Sequence, residues 1–187
     1  YNKNTKILEL KSNVKISDKI RNFEISSDNI IYDKLLEKII SKTNTKIEID
    51  NSHILLGKNI IFFRSILKIQ SNDTSTIKDK FNNLIKLNGF DYSIKDKILK
   101  TKQMELIDKD SNIYKSNNAI IDLDGERLAT KDIQIYFAQG ELGEDARLKG
   151  SSLISENNVS TIKNGIFTAC KMRDGCPPWS LKSKEIK

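Results

Sequence analysis

The sequence predicts an all-β protein built from tandem strand repeats. Isoleucine-rich segments alternate apolar and polar residues, clusters of Asn, Asp, Lys and Ser separate them, and a unit of thirty residues recurs in register. β-Branched side chains suit a pleated, half-buried surface, and period-two alternation is the strand signature. Units of this kind stack into a β-solenoid, a folded sandwich or an elongated open jelly roll.

The repeat is explicit. "NIIYDKLLEKIIS" begins at Asn29 and "NIIFFRSILKIQS" at Asn59, thirty positions later. A third copy keeps the register, with Ser41 on Ser71, Ile47 on Ile77, Ile54 on Leu84, Ile60 on Phe90 and Phe62 on Tyr92. "SNVKI" (12–16) resembles "TNTKI" (43–47) shifted by one, and the repeat fades beyond Leu106.

The repeat also settles one conflict. Thr76 to Gly89 alone reads as a helix, with Ile77, Phe81, Leu84 and Ile85 at helical spacing. Its equivalent thirty residues earlier alternates strictly from Lys46 to Asp50, so both copies are strands. Downstream, Ile133, Ile135 and Phe137 alternate with Asp132, Gln134 and Tyr136. "AIIDLDGERLAT" reads as a hairpin turning on Asp124-Gly125, which pairs Asp122 with Arg127 and Ile121 with Leu128. Each unit therefore holds two to three short strands, and the array ends in open edges suited to strand addition from a partner.

Composition narrows the function. The chain has 187 residues, 37% hydrophobic and 30% charged, with a net charge of +7 at pH 7. No apolar run approaches the roughly 20 residues of a membrane-spanning helix. The start at Tyr1-Asn2-Lys3 reads as that of a processed or excised fragment. Lysines are spread among Asp and Glu without an arginine-rich helix, which argues against nucleic acid and allows an anionic lipid.

Little catalytic chemistry is visible. His53 is the sole histidine and occupies the repeat position of Phe23, so it reads as a strand residue. Gly140 to Asp145 reads as a turn, lacking the spacing of a calcium or phosphate loop. The chain is expected not to be an enzyme and to use no metal or cofactor. Five residues separate Cys170 from Cys176, without zinc spacing. A local disulfide, two free thiols and pairing with cysteines elsewhere all remain open.

The last stretch, "NGIFTACKMRDGCPPWSLKSKEIK", resembles the end of the N-terminal periplasmic domain in the LptD (OstA) family of outer-membrane lipopolysaccharide-assembly proteins. Phe167, Thr168, Cys170, Cys176, Pro178, Trp179, Leu181, Ser183 and Ile186 occupy that family's motif. Ser27, Asp28 and Tyr32 resemble its Ala/Ser-Asp-x-x-x-Tyr element, and Ser12-Asn13-Val14 and Thr43-Asn44-Thr45 resemble its strand starts without the glycine.

The resemblance implies an OstA-like β-taco over residues 1–168 and a junction over 169–187 leading to a C-terminal β-barrel. It implies a periplasmic location, disulfides from Cys170 and Cys176 to the barrel, and a stiff junction at Pro177, Pro178 and Trp179. The prolines also keep the last repeat strand from pairing onward. Implied partners are lipopolysaccharide, through its lipid A, a periplasmic bridge protein docked end to end, and the barrel with its lipoprotein plug.

Repeat register and alternation nominate Ile30, Tyr32, Ile47, Ile49, Ile60, Phe62, Phe90, Tyr92, Ile133, Ile135 and Phe137 as walls of an acyl-chain groove. The plainer alternative makes them an ordinary closed core. In that case the protein is a structural or protein-binding β-solenoid acting through its edges.

Overall fold

The computed structural model describes residues 2, 4–138, 145–157, 159–171 and 179–187. Among them are fourteen strands and no helix, so the fold is all-β. The chain forms two compact units, Tyr1–Leu99 and Lys100–Lys187.

The first unit contains β1 (Ile7–Asp18), β2 (Phe23–Asp33), β3 (Lys38–Ser41), β4 (Thr45–Ile49), β5 (His53–Gly57), β6 (Ile60–Phe63), β7 (Lys68–Lys78) and β8 (Leu84–Ser93). β1 pairs with β2, whose first half takes β4 and whose second half takes β3. β5 and β6 follow in the same way, and β7 pairs with both before passing to β8. All these pairings are antiparallel. β3 with β4, and β5 with β6, are thus two halves of single interrupted strands.

β9 (Ile98–Ile107) leads into the second unit, followed by β10 (Ile113–Asp122), β11 (Arg127–Tyr136), β12 (Arg147–Glu156), β13 (Val159–Thr168) and β14 (Leu181–Ile186). These run as a meander, each paired with the next. The repeat therefore comprises two long strands broken midway, not two to three short ones.

The breaks have a backbone cause. Ser12, Asn13, Asn59, Gly89, Asn118, Asp132 and Asn164 all have positive φ and sit at or near the middle of long strands. Asn, Asp and Gly tolerate this left-handed region better than other residues, and such a residue bends the strand and disrupts its ladder. Register shifts mark the break in β1 between Lys11 and Val14 and in β7 between Ser71 and Thr74.

Each long strand thus has two arms that fold against each other. In the first unit the ring of Phe23, in one arm of β2, meets Phe62 of β6 edge-on at 5.3 Å. In the second unit Ile133, Ile135 and Leu148 from one arm form a single cluster with Leu153 and Ile162 from the other.

Other expectations meet the structure as follows. Residues 76–89 form strand, turn and strand, leaving Phe81 exposed in the turn. The β10–β11 hairpin pairs Asp122 with Arg127 and Ile121 with Leu128 in the expected register. Its turn is longer than the two residues expected, spanning 123–126 with Glu126 at φ 50°. The Asp122 carboxylate accepts the amides of Asp124 and Gly125, which sets this wider turn. Within residues 169–187, β14 pairs with β13, so the end of the chain belongs to the second unit.

Candidate functional site

The interior between the arms is the candidate site, and strand pairing assembles it row by row. One row crosses the first unit as Leu8, Tyr32, Ile39, Phe62, Ile69 and Tyr92. Aromatic and aliphatic side chains alternate along it, a favourable cross-strand arrangement. The facing arm supplies Ile16, Ile25, Ile47, Leu55, Ile77 and Ile85. Full burial of one such side chain contributes about 1.5–3 kcal/mol.

All the nominated wall residues except Tyr32 and Phe137 are buried, with Ile30 and Ile47 at 0% exposure and Phe62 at 5%. Tyr32 is half-buried under the Arg64 guanidinium, which stacks on its ring and donates to its hydroxyl at 2.7 Å. Phe137 is half-buried and meets Phe167 at 6.3 Å, while Phe167 in turn meets Trp179 at 6.2 Å. In the first unit Ile30, Ile47, Ile49, Ile60, Phe62, Phe90 and Tyr92 lie within its interior. Ile133 and Ile135 belong to the second unit's cluster, with Phe137 packed against it.

Behind the apolar rows, at the break between the arms, lies a seam of buried hydroxyls. Ser27 Oγ and Ser41 Oγ share a hydrogen bond at 2.7 Å, as do Ser41 Oγ and Thr45 Oγ1. Ser71 Oγ donates to the Lys58 carbonyl at 2.7 Å and accepts the Asp73 amide at 3.1 Å. Thr130 donates to the Asn117 carbonyl at 3.0 Å in the second unit. Breaking the ladder exposes backbone groups that must find partners when buried, and these hydroxyls supply them.

Sequence reasoning missed this seam and much of the facing arm, including Ile25, Leu55 and Ile85. The seam had a signal, since Ser41, Ser71 and Thr101 recur at the thirty-residue period.

In the terminal motif, Thr168 Oγ1 donates to the Trp179 carbonyl at 2.9 Å and accepts the Cys170 amide at 3.2 Å. Arg147 donates to the Cys170 carbonyl at 2.7 Å. Cys170 is buried, and Trp179 is half-exposed. Cys176, Pro177 and Pro178 lie outside the described residues, as do positions 140–144 of the expected turn.

His53 is half-buried at the start of β5 with its Nδ1 2.9 Å from Ser52 Oγ. Burial, with help from Asp108, pushes the Tyr114 phenol up to about 12, away from proton transfer at neutral pH. Among the described residues no three His, Cys, Asp or Glu side chains are grouped to hold a metal ion. An open groove of about 990 Å³ in the first unit lies along the break between the arms, where Ser27 and Thr45 of the seam line it together with Asn72, Asp73, Asn88 and Lys58.

The chain matches no protein-family model and no curated protein.

Proposed function

We propose that this chain is an OstA-like, β-taco periplasmic domain of an outer-membrane lipopolysaccharide translocon. It carries lipid A acyl chains between its two arms and docks end to end with a bridge protein. The observation that carries the reading is the pair of facing apolar rows, which run across the strands of the first unit.

Acyl chains gain about 0.8 kcal/mol per methylene shielded from water. Uptake exchanges arm-to-arm contacts for arm-to-acyl contacts, apolar for apolar, so the chain can slide without a deep trap. Rows that are apolar but for the Tyr32 and Tyr92 hydroxyls, with the serine and threonine hydroxyls gathered at the seam, fit such transit. Among the described strands β1 pairs with β2 alone, so its other edge beyond the Asn2–Ile7 bridge supports strand addition by a bridge protein. In this reading Cys170 and Cys176 bond to a following β-barrel, and Pro177, Pro178 and Trp179 stiffen the approach to it.

Site-specific photocrosslinking tests the proposal. A photoreactive residue at Phe62 is expected to capture lipopolysaccharide and to lose it on deacylation. The control is Lys46, whose side chain pairs with Glu48 on the outer face. Equal capture at both positions, or none at Phe62, would sink the transport reading. The second reading, a protein-binding β-fold acting by edge pairing, would then stand, and the close packing around Phe62 and Ile47 favours it.

A further inference from the structure

The hairpin turns of the first unit carry apolar residues that their geometry does not require. Asp18, Asp33 and Asp79 each accept the amide of the residue two positions on, namely Ile20 at 3.0 Å, Leu35 at 3.0 Å and Phe81 at 2.8 Å. The second unit builds its turns in the same way, with Asp108 accepting from Asp110 and Asp122 from Asp124. There the outward position is an aspartate. In the first unit it is Ile20 at 92% exposure, Leu35 at 71% and Phe81 at 48%. An aspartate serves the turn equally well, so the apolar choice has another cause.

These tips share one margin. Asp50 donates its amide to the Asn22 carbonyl, Arg64 to Glu37 and Ile94 to Leu67, stacking successive turns into two rows. The Asp50–Lys97 ion pair ties one row to the other. Pairing of Ile54 with Lys78 sets the turn carrying Phe81 beside residues 50–52. Leu36 and Ile66 are exposed on the same rows.

Cations sit beside the apolar apices. Lys19, Lys34 and Lys80 each precede an apolar tip, and all are exposed. The turn-opening aspartates are engaged by backbone amides. Each tip presents an apolar apex with a lysine next to it, while the carboxylate of its aspartate is held against the turn's own amides. Separate convex apices do not form the continuous patch that a protein partner covers. They match the layering of an anionic lipid surface, with hydrocarbon beneath phosphate.

We propose that this margin docks on an anionic lipid bilayer. Ile20, Leu35 and Phe81 enter the acyl boundary while Lys19, Lys34 and Lys80 meet lipid phosphates. Docking requires neither an acyl chain between the arms nor lipopolysaccharide, so it stands or falls separately from the transport reading.

The test is sedimentation of the full chain with vesicles of phosphatidylcholine alone and of phosphatidylcholine mixed with phosphatidylglycerol. Binding is expected only to the mixed vesicles and is expected to weaken as salt is raised. Combining Ile20→Ser, Leu35→Ser and Ile66→Ser is expected to lower that binding roughly a hundredfold without changing the melting temperature, since these side chains are exposed. A Phe81→Trp variant is expected to gain quenching by brominated lipid beyond that of Trp179 in the parent chain. Equal binding to both vesicles, none to either, an unchanged triple variant, or no added quenching would each overturn the proposal.

Discussion

Asp50 and Lys97, 47 residues apart, form an ion pair that ties the two rows of turns in the first unit. Their side chains retain 35% and 24% of their accessibility, so solvent screens the pair only in part. A cycle of Asp50→Asn, Lys97→Met and the double variant is expected to show a coupling of about 0.5–1 kcal/mol. The coupling is expected to shrink in high salt. Amide exchange is expected to quicken at residues 50–52 and 94–97 in either single variant.

Gly89, at φ +68°, bends β8, and a Cβ there would lie 3.3 Å from the Ser71 carbonyl oxygen. Gly89→Ala is expected to destabilise by about 1–2 kcal/mol because an L residue is strained in that conformation. Gly89→Asn is expected to cost less than Gly89→Val, since Asn59, Asn118 and Asn164 adopt positive φ elsewhere. Urea midpoints for the three variants give the ranking.

The buried hydroxyls are not equivalent. Ser71→Ala strands the Lys58 carbonyl and the Asp73 amide, with an expected loss of about 1–3 kcal/mol. Ser116 Oγ is buried with no hydrogen-bond partner among the described residues. Ser116→Ala is therefore expected to be neutral or stabilising by about 1 kcal/mol. Thermal melts of the two variants should move in different directions or by clearly different amounts.

Asp122 gives the β10–β11 hairpin a dependence on pH. The Gly125 amide, and next the Arg127 side chain, hold its carboxyl below the usual range. A depressed folded value means the stabilisation is complete above the unfolded value of about 3.9 and is lost as pH falls through the lower folded value. Between about pH 5 and pH 2 the parent chain is expected to lose more stability than Asp122→Asn. Melting temperatures across that range check the sign.

Alternation and the thirty-residue period made much of the fold legible. They disclosed the all-β class and the Asp122–Arg127 register, and nominated as walls Ile47, Phe62 and Ile133, which are buried. They did not disclose the arms. At several breaks the buried positions advance by three residues instead of two, from Ser27 to Ile30, Leu87 to Phe90 and Thr130 to Ile133. A parity argument loses its place at such a step, and an asparagine in a strand reads equally well as the end of that strand. The partnership of Ile25 with Ile47, or of Phe23 with Phe62, depends on pairing and folding back, which no local pattern encodes.

Because strands in the first unit pair mainly with their neighbours in sequence, adding or removing one repeat leaves the remaining rows in register. Excision of residues 34–63 would join Asp33 to Arg64 and set one copy's turn in the place of another. Two strands fewer shorten the rows by about 10 Å, with the same side chains facing inward on either side of the joint. Such a molecule can lengthen or shorten in steps of one hairpin through duplication or loss of a short stretch of gene. Each step preserves the seam, the arms and the stacked turns, so the distance spanned can drift between lineages without the fold being reinvented.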